Sequence, residues 1–458
     1  MRVRDIIFAV KFGVALPGVA NAHVSEQGFV LLLPTGAWSA AGLAVVVLTV
    51  LALALTPQRA ARAMFRPRVF RAPEAETLRT ATSLLSTMVL GALVIIGLDG
   101  PRNPLSNLMP LTLWTVFWIG LVSIAGVAGD LWRWINPWTG LYRLIGPARP
   151  ALNLPERLGG WPAVVIVTGF FAFLLADIAP DDPARLAYLI GGYWLLTTAA
   201  LIVFGEAWMR QGEAASVLFA QYGDLSALRL SAQAGIGAPG WRLLERPISL
   251  SAGIFALVLL GAGSFDGVNE TFWWLAQIGV NPLEFPGRSA IVAPTLIGLA
   301  GAIFGLIIIF ALIVWIGLAL VGATARFGEA FAVLALSLLP IAFGYHIAHY
   351  LTAFLVSGQY ALAALSDPWA TGADWLGISP FYVTTGFFNH MDSVRVIWLT
   401  QAGAVVIGHV WSVMLAHRMA LNLFPKGRKA ALATAPLSAF MIGYTFLGLW
   451  LLAAPRGA

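Results

Sequence analysis

Ten apolar runs, each near the length of a membrane crossing, alternate along this chain with short polar connections. They cover residues 36–55, 82–98, 108–128, 161–176, 186–205, 248–265, 295–321, 331–356, 394–420 and 436–452. A hydrocarbon core about 30 Å thick is spanned by roughly 20 helical residues, and inside lipid only helices and closed barrels satisfy every backbone polar group. The apolarity here is continuous, whereas barrel strands alternate. The pattern therefore predicts an all-α protein, a polytopic transmembrane helix bundle of about ten spans.

The chain opens with Arg2 and Arg4 ahead of an apolar stretch from Ile6, and Ala20-Asn21-Ala22 supplies small residues for cleavage, so 1–22 reads as a signal peptide. With no internal repeat and no low-complexity segment, 23–458 reads as a single transmembrane domain. Cleavage after Ala22 would leave His23 at the new N-terminus, where its amino group and imidazole can chelate one metal ion together.

The polar connections orient the bundle, because Lys and Arg concentrate on the cytoplasmic side. Arg59, Arg62, Arg66, Arg68, Arg71 and Arg79 put the first connection inside, and 133–157, 210–246, Arg326 and 418–429 follow on that side. Asp177, Asp181, Asp182, Asp266 and Glu270 then fall outside, as do both termini. The stretch 130–138, with Trp132, Trp134 and Trp138, suits a headgroup-level helix, and 213–222 suits an amphipathic one. The outer connection 357–392 carries Asp367, Asp374, Asn389, His390 and Asp392, and a long connection of this kind reads as a lid.

Composition narrows the chemistry. The chain of 458 residues is 59% hydrophobic and 10% charged, against about 25% charged in soluble domains. It has no cysteine, which excludes disulfides, thiolate nucleophiles and thiolate metal sites and leaves histidine as the main candidate metal ligand. The net charge of +6 lies in the loop arginines, which fits lipid headgroups and argues for the bilayer, not nucleic acid, as the partner. No phosphate-binding loop, nucleophile elbow, His-Glu-x-x-His or dinucleotide fingerprint is present.

The chemistry that remains is a set of imidazoles where lipid should be. His346 and His349, three apart, share a face of the 331–356 span, and His409 and His417 lie in the 394–420 span. His346, His349 and His409 fall in the middle of the hydrocarbon and form one expected metal site, because bundles build such sites from facing helices. Tyr345, Tyr350 and Gln401 are the expected partners orienting the imidazoles, and Pro340 is expected to kink the span. Zinc or copper are the candidate ions. Haem ligation by one histidine from each helix is a second reading, and plain hydrogen bonding between helices is a third, at about 0.6 kcal/mol per bond. His417 beside Arg418 suits a cytoplasmic helix end. On the outer side, His23 and His390 make a possible second metal site.

The chain resembles a family of bacterial integral membrane proteins that carry the name fenitrothion hydrolase. The resemblance is carried by Ala22-His23, by Gly129-Asp130-Leu131-Trp132 through Asn136-Pro137-Trp138, and by Ser264-Phe265-Asp266-Gly267 with Glu270-Thr271. Leu339-Pro340 through His346, Ala348-His349-Tyr350, Gly358-Gln359, Gln401, Gly408-His409 and Ala416-His417 complete it, over nearly the whole chain after the signal. The chain departs from relatives at Val24-Ser25-Glu26-Gln27-Gly28. The resemblance implies a hydrolase of an apolar organophosphate triester in the bacterial cytoplasmic membrane. A copper-handling or haem redox protein and an ion-coupled transporter are the alternatives.

Reporter fusions at Arg66 and Lys426 are expected to report the cytoplasm, and fusions at Asp181 and Gly372 the opposite side. One reversed fusion among the four would break the alternation on which the orientation rests.

Overall fold

A computed structural model describes residues 30–71, 75–147, 149–229, 233–281 and 287–455. The expected signal peptide and His23 lie outside the described residues. Among the described residues nine helices are long and apolar enough to cross a membrane. They are α1 (Thr35–Leu55), α2 (Glu76–Asp99), α3 (Leu108–Ala128), α5 (Pro183–Phe204), α7 (Leu250–Asn269), α8 (Val292–Leu320), α9 (Thr324–Ser366), α10 (Met391–Leu423) and α11 (Gly427–Ala453). The shorter α4 (Trp161–Ala176) is apolar too, and the short α6 (Ala214–Gly223) follows α5. Every expected apolar run falls on one of these helices, and the protein is an all-α, multi-pass membrane bundle.

Helices α7 and α9 form its centre. Helix α7 is buried all round over Phe255, Ala256, Leu257, Val258, Leu259 and Leu260, the pattern of a helix enclosed by other helices. Around this pair, α10 packs on α9, α8 and α4 pack on α7, and α1 closes against α10 and α11. Lipid offers no hydrophobic drive for helix association, so close contact depends on small residues. At the α9–α10 crossing a Cβ on Gly344 would run into the Ala404 carbonyl, and one on Gly408 would lie 2.5 Å from the Pro340 carbonyl. This crossing sets His346, His349 and His409 at their places.

Pro340 interrupts α9 as expected. A 3₁₀ turn, Leu336–Leu338, precedes it, because proline lacks an N–H and its ring crowds the carbonyl four residues back. Ser412 of α10 donates to the Ser337 carbonyl in that turn, so a neighbouring helix satisfies backbone that the proline disturbs.

Three segments depart from expectation. The 130–138 stretch is not a surface helix: Trp132, Asn136 and Trp138 are buried, and only Trp132–Ile135 is helical. Its irregular backbone is held by side chains, with Ser83 donating to the Asn136 carbonyl at 2.6 Å and Thr82 to that of Trp134 at 2.6 Å. Trp194 donates to the Pro137 carbonyl at 2.9 Å. Asp130, at the entry to this stretch, has its carboxyl pushed above the usual range by burial, against the backbone N–H of Arg133 that pulls it down.

Helix α6 forms where an amphipathic helix was expected over 213–222, but it is buried over Val217, Leu218, Phe219, Gln221 and Tyr222. It is capped by Glu213, whose carboxylate accepts from the Ala215 and Ser216 amides. Aromatic rather than charged residues on both of its faces explain the insertion, since Phe219 stacks on Trp132 and Tyr222 meets Phe343. Finally, a small antiparallel sheet of β1 (Arg68–Arg71), β2 (Leu228–Arg229) and β3 (Gln233–Ile236), in the order β1–β3–β2, pairs the first arginine-rich connection with the 210–246 region.

Replacing Gly408 with leucine is expected to separate α9 from α10 and to lower stability by about 1–3 kcal/mol or more, read as a lower unfolding temperature in detergent. Leucine at Gly403, where an added Cβ meets nothing within 4 Å, is the matched control and should leave that temperature unchanged.

Candidate metal centre

Asp266 and Glu270 occupy the last turn of α7, one at the fourth residue from its end and the other at its C-cap. Spaced four apart, they share a face. The sequence continues as Thr271, whose side chain accepts from the Trp274 amide and starts the next short helix, Phe272–Gln277. The change of direction at Thr271 therefore fixes where the two carboxylates stand.

Opposite them is α9. His349 Nε2 lies 3.2 Å from Asp266 Oδ2, and Tyr350 donates its hydroxyl to the same oxygen at 2.5 Å. The imidazole of His349 is stacked on Tyr345 with ring centroids 5.6 Å apart and meets Tyr350 edge-on at 4.7 Å. Tyr345 can lie there because Gly267 has no side chain, and a Cβ at that position would run into the tyrosine hydroxyl. One ligand atom from each of Asp266, Glu270 and His349 lies within 4.8 Å of the other two. Tetrahedral zinc with bonds near 2.1 Å sets its ligands about 3.4 Å apart, so small rotations of these side chains would complete such a site.

The electrostatics favour a cation. The C-terminal end of a helix carries partial negative charge, and acids there are unfavourable by roughly 0.3–1 kcal/mol each. Two like charges four apart add to this, and both Asp266 and His349 are buried. A divalent cation at this point would offset the helix-end partial charge and the two carboxylates, with the His349 imidazole as a neutral ligand.

The structure groups His349 with two carboxylates and not with His346 and His409. His346 is adjacent, 5.0 Å from Tyr350 ring to ring, but it faces Trp118 at 5.2 Å and Tyr222 at 6.4 Å. Its Nε2 is buried without a hydrogen bond among the described residues. His409 donates from Nδ1 to the Val405 carbonyl at 2.8 Å and faces Tyr444 of α11. Among the described residues no group of three ligating side chains within this reach contains His409 or His346. The helical geometry explains the split, since residues three apart diverge by about 60° around the axis, and α10 meets α9 at the Gly344–Gly408 side.

The other expected residues are placed as follows. Tyr345 and Tyr350 border His349, and Gln401 donates to the Ala348 carbonyl at 2.8 Å, which ties α10 to α9 beside the site. His390 is exposed at the N-cap of α10. His417 is buried further along α10, near the arginine-rich end. The outer connection is shorter than expected because α9 runs to Ser366. It is built on Asp367 and Asp374: Asp367 accepts from the Thr371 and Gly372 amides, and these backbone donors hold its carboxyl below the usual range. Gln359 fastens this connection to α9 through the Thr384 amide and carbonyl.

The sequence pattern marked Asp266 and Glu270 as outer-side residues and as part of the family resemblance, but not as metal ligands, because the apolar run ends at Phe265. The helix continues to Asn269. An acid pair four apart just beyond the end of an apolar run, in line with a helical continuation, is the signal that would have found them.

No protein-family model matches the chain, and no curated protein and no solved structure is significantly similar to it.

Changing Tyr350 to phenylalanine removes the hydroxyl donor from a buried carboxylate, which typically costs about 1–3 kcal/mol. The expected result is a lower unfolding temperature, whereas Tyr382→Phe, at an exposed loop position, should leave it unchanged.

Proposed function

We propose that this protein is a membrane-embedded metalloenzyme that hydrolyses apolar phosphoesters, with a divalent ion held by Asp266, Glu270 and His349. The observation that carries the reading is the placing of two carboxylates on the negative end of α7 against a buried imidazole, with all three ligand atoms within 4.8 Å. Zinc is the first candidate and copper the second, since the ligands are imidazole and carboxylate without sulfur. When bound with three protein ligands, such an ion supplies a water whose pKa is lowered to about 7 and polarises a phosphoryl oxygen.

The chain's own residues supply the rest. Tyr350, by donating to Asp266 Oδ2, fixes that carboxylate and would leave its remaining lone pairs for an ion. The Tyr345 ring, stacked on His349, fixes the imidazole plane. His346 stands behind Tyr350 with ring centroids 5.0 Å apart, and its Nε2 is buried without a hydrogen bond among the described residues. An apolar triester reaches this depth by partitioning into the bilayer, in keeping with the family resemblance. The orientation read from the loop arginines places the centre toward the outer half of a bacterial cytoplasmic membrane.

A second reading rests on the same bonds. Tyr350 and His349 already satisfy Asp266 without an ion, which is how a proton relay of an ion-coupled transporter would look.

Elemental analysis of the purified protein separates the two. Near one zinc or copper per chain is expected, lost in Asp266→Asn and in His349→Ala while the helical content stays unchanged. Turnover of an aryl dialkyl phosphotriester should fall with the metal. Metal content that is absent, or indifferent to both substitutions, would overturn the metalloenzyme and leave the relay.

A further inference from the structure

On the other side of Trp118 from the histidines lies a cavity of about 540 Å³ between α2, α3, α4 and α5, within the size range of ligand sites. Its walls are Leu90 and Leu93 of α2, Leu113 and Phe117 of α3, and Ile166 and Phe170 of α4. Residues of α6 and the Trp132–Trp138 turn close its arginine-rich end. Three hydroxyls line it, those of Ser86, Thr112 and Tyr193; Ser86 donates to the Thr82 carbonyl at 3.0 Å and Tyr193 to Glu213 at 2.5 Å. The Ser86 and Tyr193 hydroxyls are held within the protein, and the remaining walls are mostly Leu, Val, Ile, Phe and Trp, so the lining is predominantly apolar.

The mouth identifies the occupant. Val89 and Val116, which line the cavity, are 49% and 43% exposed. Each sits near the midpoint of its membrane helix, so the opening faces the hydrocarbon and not either aqueous side. The cavity is thus continuous with the lipid-facing surface of the bundle. We infer that it is a binding site for one hydrocarbon chain of a membrane lipid, which enters sideways between α2, α3 and α5. The end of that chain lies against Trp118, whose ring meets His346 at 5.2 Å and Tyr350 at 6.1 Å. This inference does not depend on a metal at Asp266.

Gly169 gives a test. It lines the cavity on the same face of α4 as Ile166, Phe170 and Phe173, and an added Cβ there meets nothing within 4 Å. Tryptophan or leucine at Gly169 should therefore fill the space without a clash. The full chain is reconstituted in phosphatidylcholine vesicles carrying a diazirine near the acyl-chain end, irradiated, and the labelled residues mapped. Labels are expected on Leu113 and Phe170 as well as on outward residues such as Ile308 and Leu196. In Gly169→Trp and Gly169→Leu the labels on Leu113 and Phe170 should be lost while those on Ile308 and Leu196 stay, which also shows that the variants are folded. Absence of label at Leu113 and Phe170 in the unaltered chain, or label there indifferent to both substitutions, would overturn the proposal. So would a disulfide-linked dimer from Val89→Cys in this cysteine-free chain, because a second copy would then cover the mouth.

Discussion

A carboxylate buried among membrane helices needs donors or a cation, and this requirement at Asp266 governs the middle of the molecule. An isolated ionised carboxylate in an apolar medium is so costly that it would take up a proton instead. Asp266 is answered from one helix, by Tyr350 and His349 on successive positions of α9. That arrangement requires α7 and α9 to run close together, which Gly267 permits. It also requires α9 to be held in register, and α10 does this through Gly344, Gly408, Gln401 and Ser412. The small and polar residues of three helices thus serve one local need.

The same accounting explains the irregular parts. Backbone that leaves the helix inside a membrane protein must find partners in neighbouring side chains, and the 130–138 turn finds them in Ser83, Thr82, Thr87 and Trp194. Its own Asn136 accepts from the Thr139 amide at 3.0 Å. At the arginine-rich end the helix termini are closed by cations. Arg62 reaches the Leu421 carbonyl and Arg326 that of Leu423, at the C-terminal end of α10. At the opposite end Arg288 does the same for α4 through the Leu174 and Leu175 carbonyls. Part of the arginine pattern is therefore capping, in addition to any role at the headgroups.

The helices were legible because lipid imposes a length and a composition that a single run of residues displays. Helix contacts are written in much smaller differences. His346 and His349 were expected to act together since both sit on one side of one helix, yet about 60° of rotation sends them to Trp118 and to Asp266 respectively. His409 was grouped with them by depth alone, and depth does not tell which neighbour a side chain faces. The carboxylates were missed for a different reason: hydropathy ends a span where charge begins, although the helix itself continues past Phe265. Burial of α6 was hidden because its polar flanks, and not its aromatic middle, dominate the 210–246 stretch.

Helix α3 links the two regions of interest. Over Leu111–Leu121 it is wound as a π-helix, a geometry that usually appears as single turns at functional sites. One side of this segment lines the hydrocarbon cavity through Leu113, Val116 and Phe117. The other side meets His346, whose ring lies against Trp118 and the backbone at Ile119. Trp118 belongs to both, so an occupant of the cavity that displaces its ring must also alter the packing of His346 and Tyr350, and through Tyr350 the hydrogen bond to Asp266. Packed interiors respond to such displacement by moving between discrete arrangements more readily than by gradual deformation. An 11-residue stretch with looser winding is where the backbone could yield first. Between the cavity and the carboxylate stand only the Trp118 indole and the Tyr350 ring, the first of them carried on the π-helical segment of α3, and this placement connects the two sites without any larger motion of the helices.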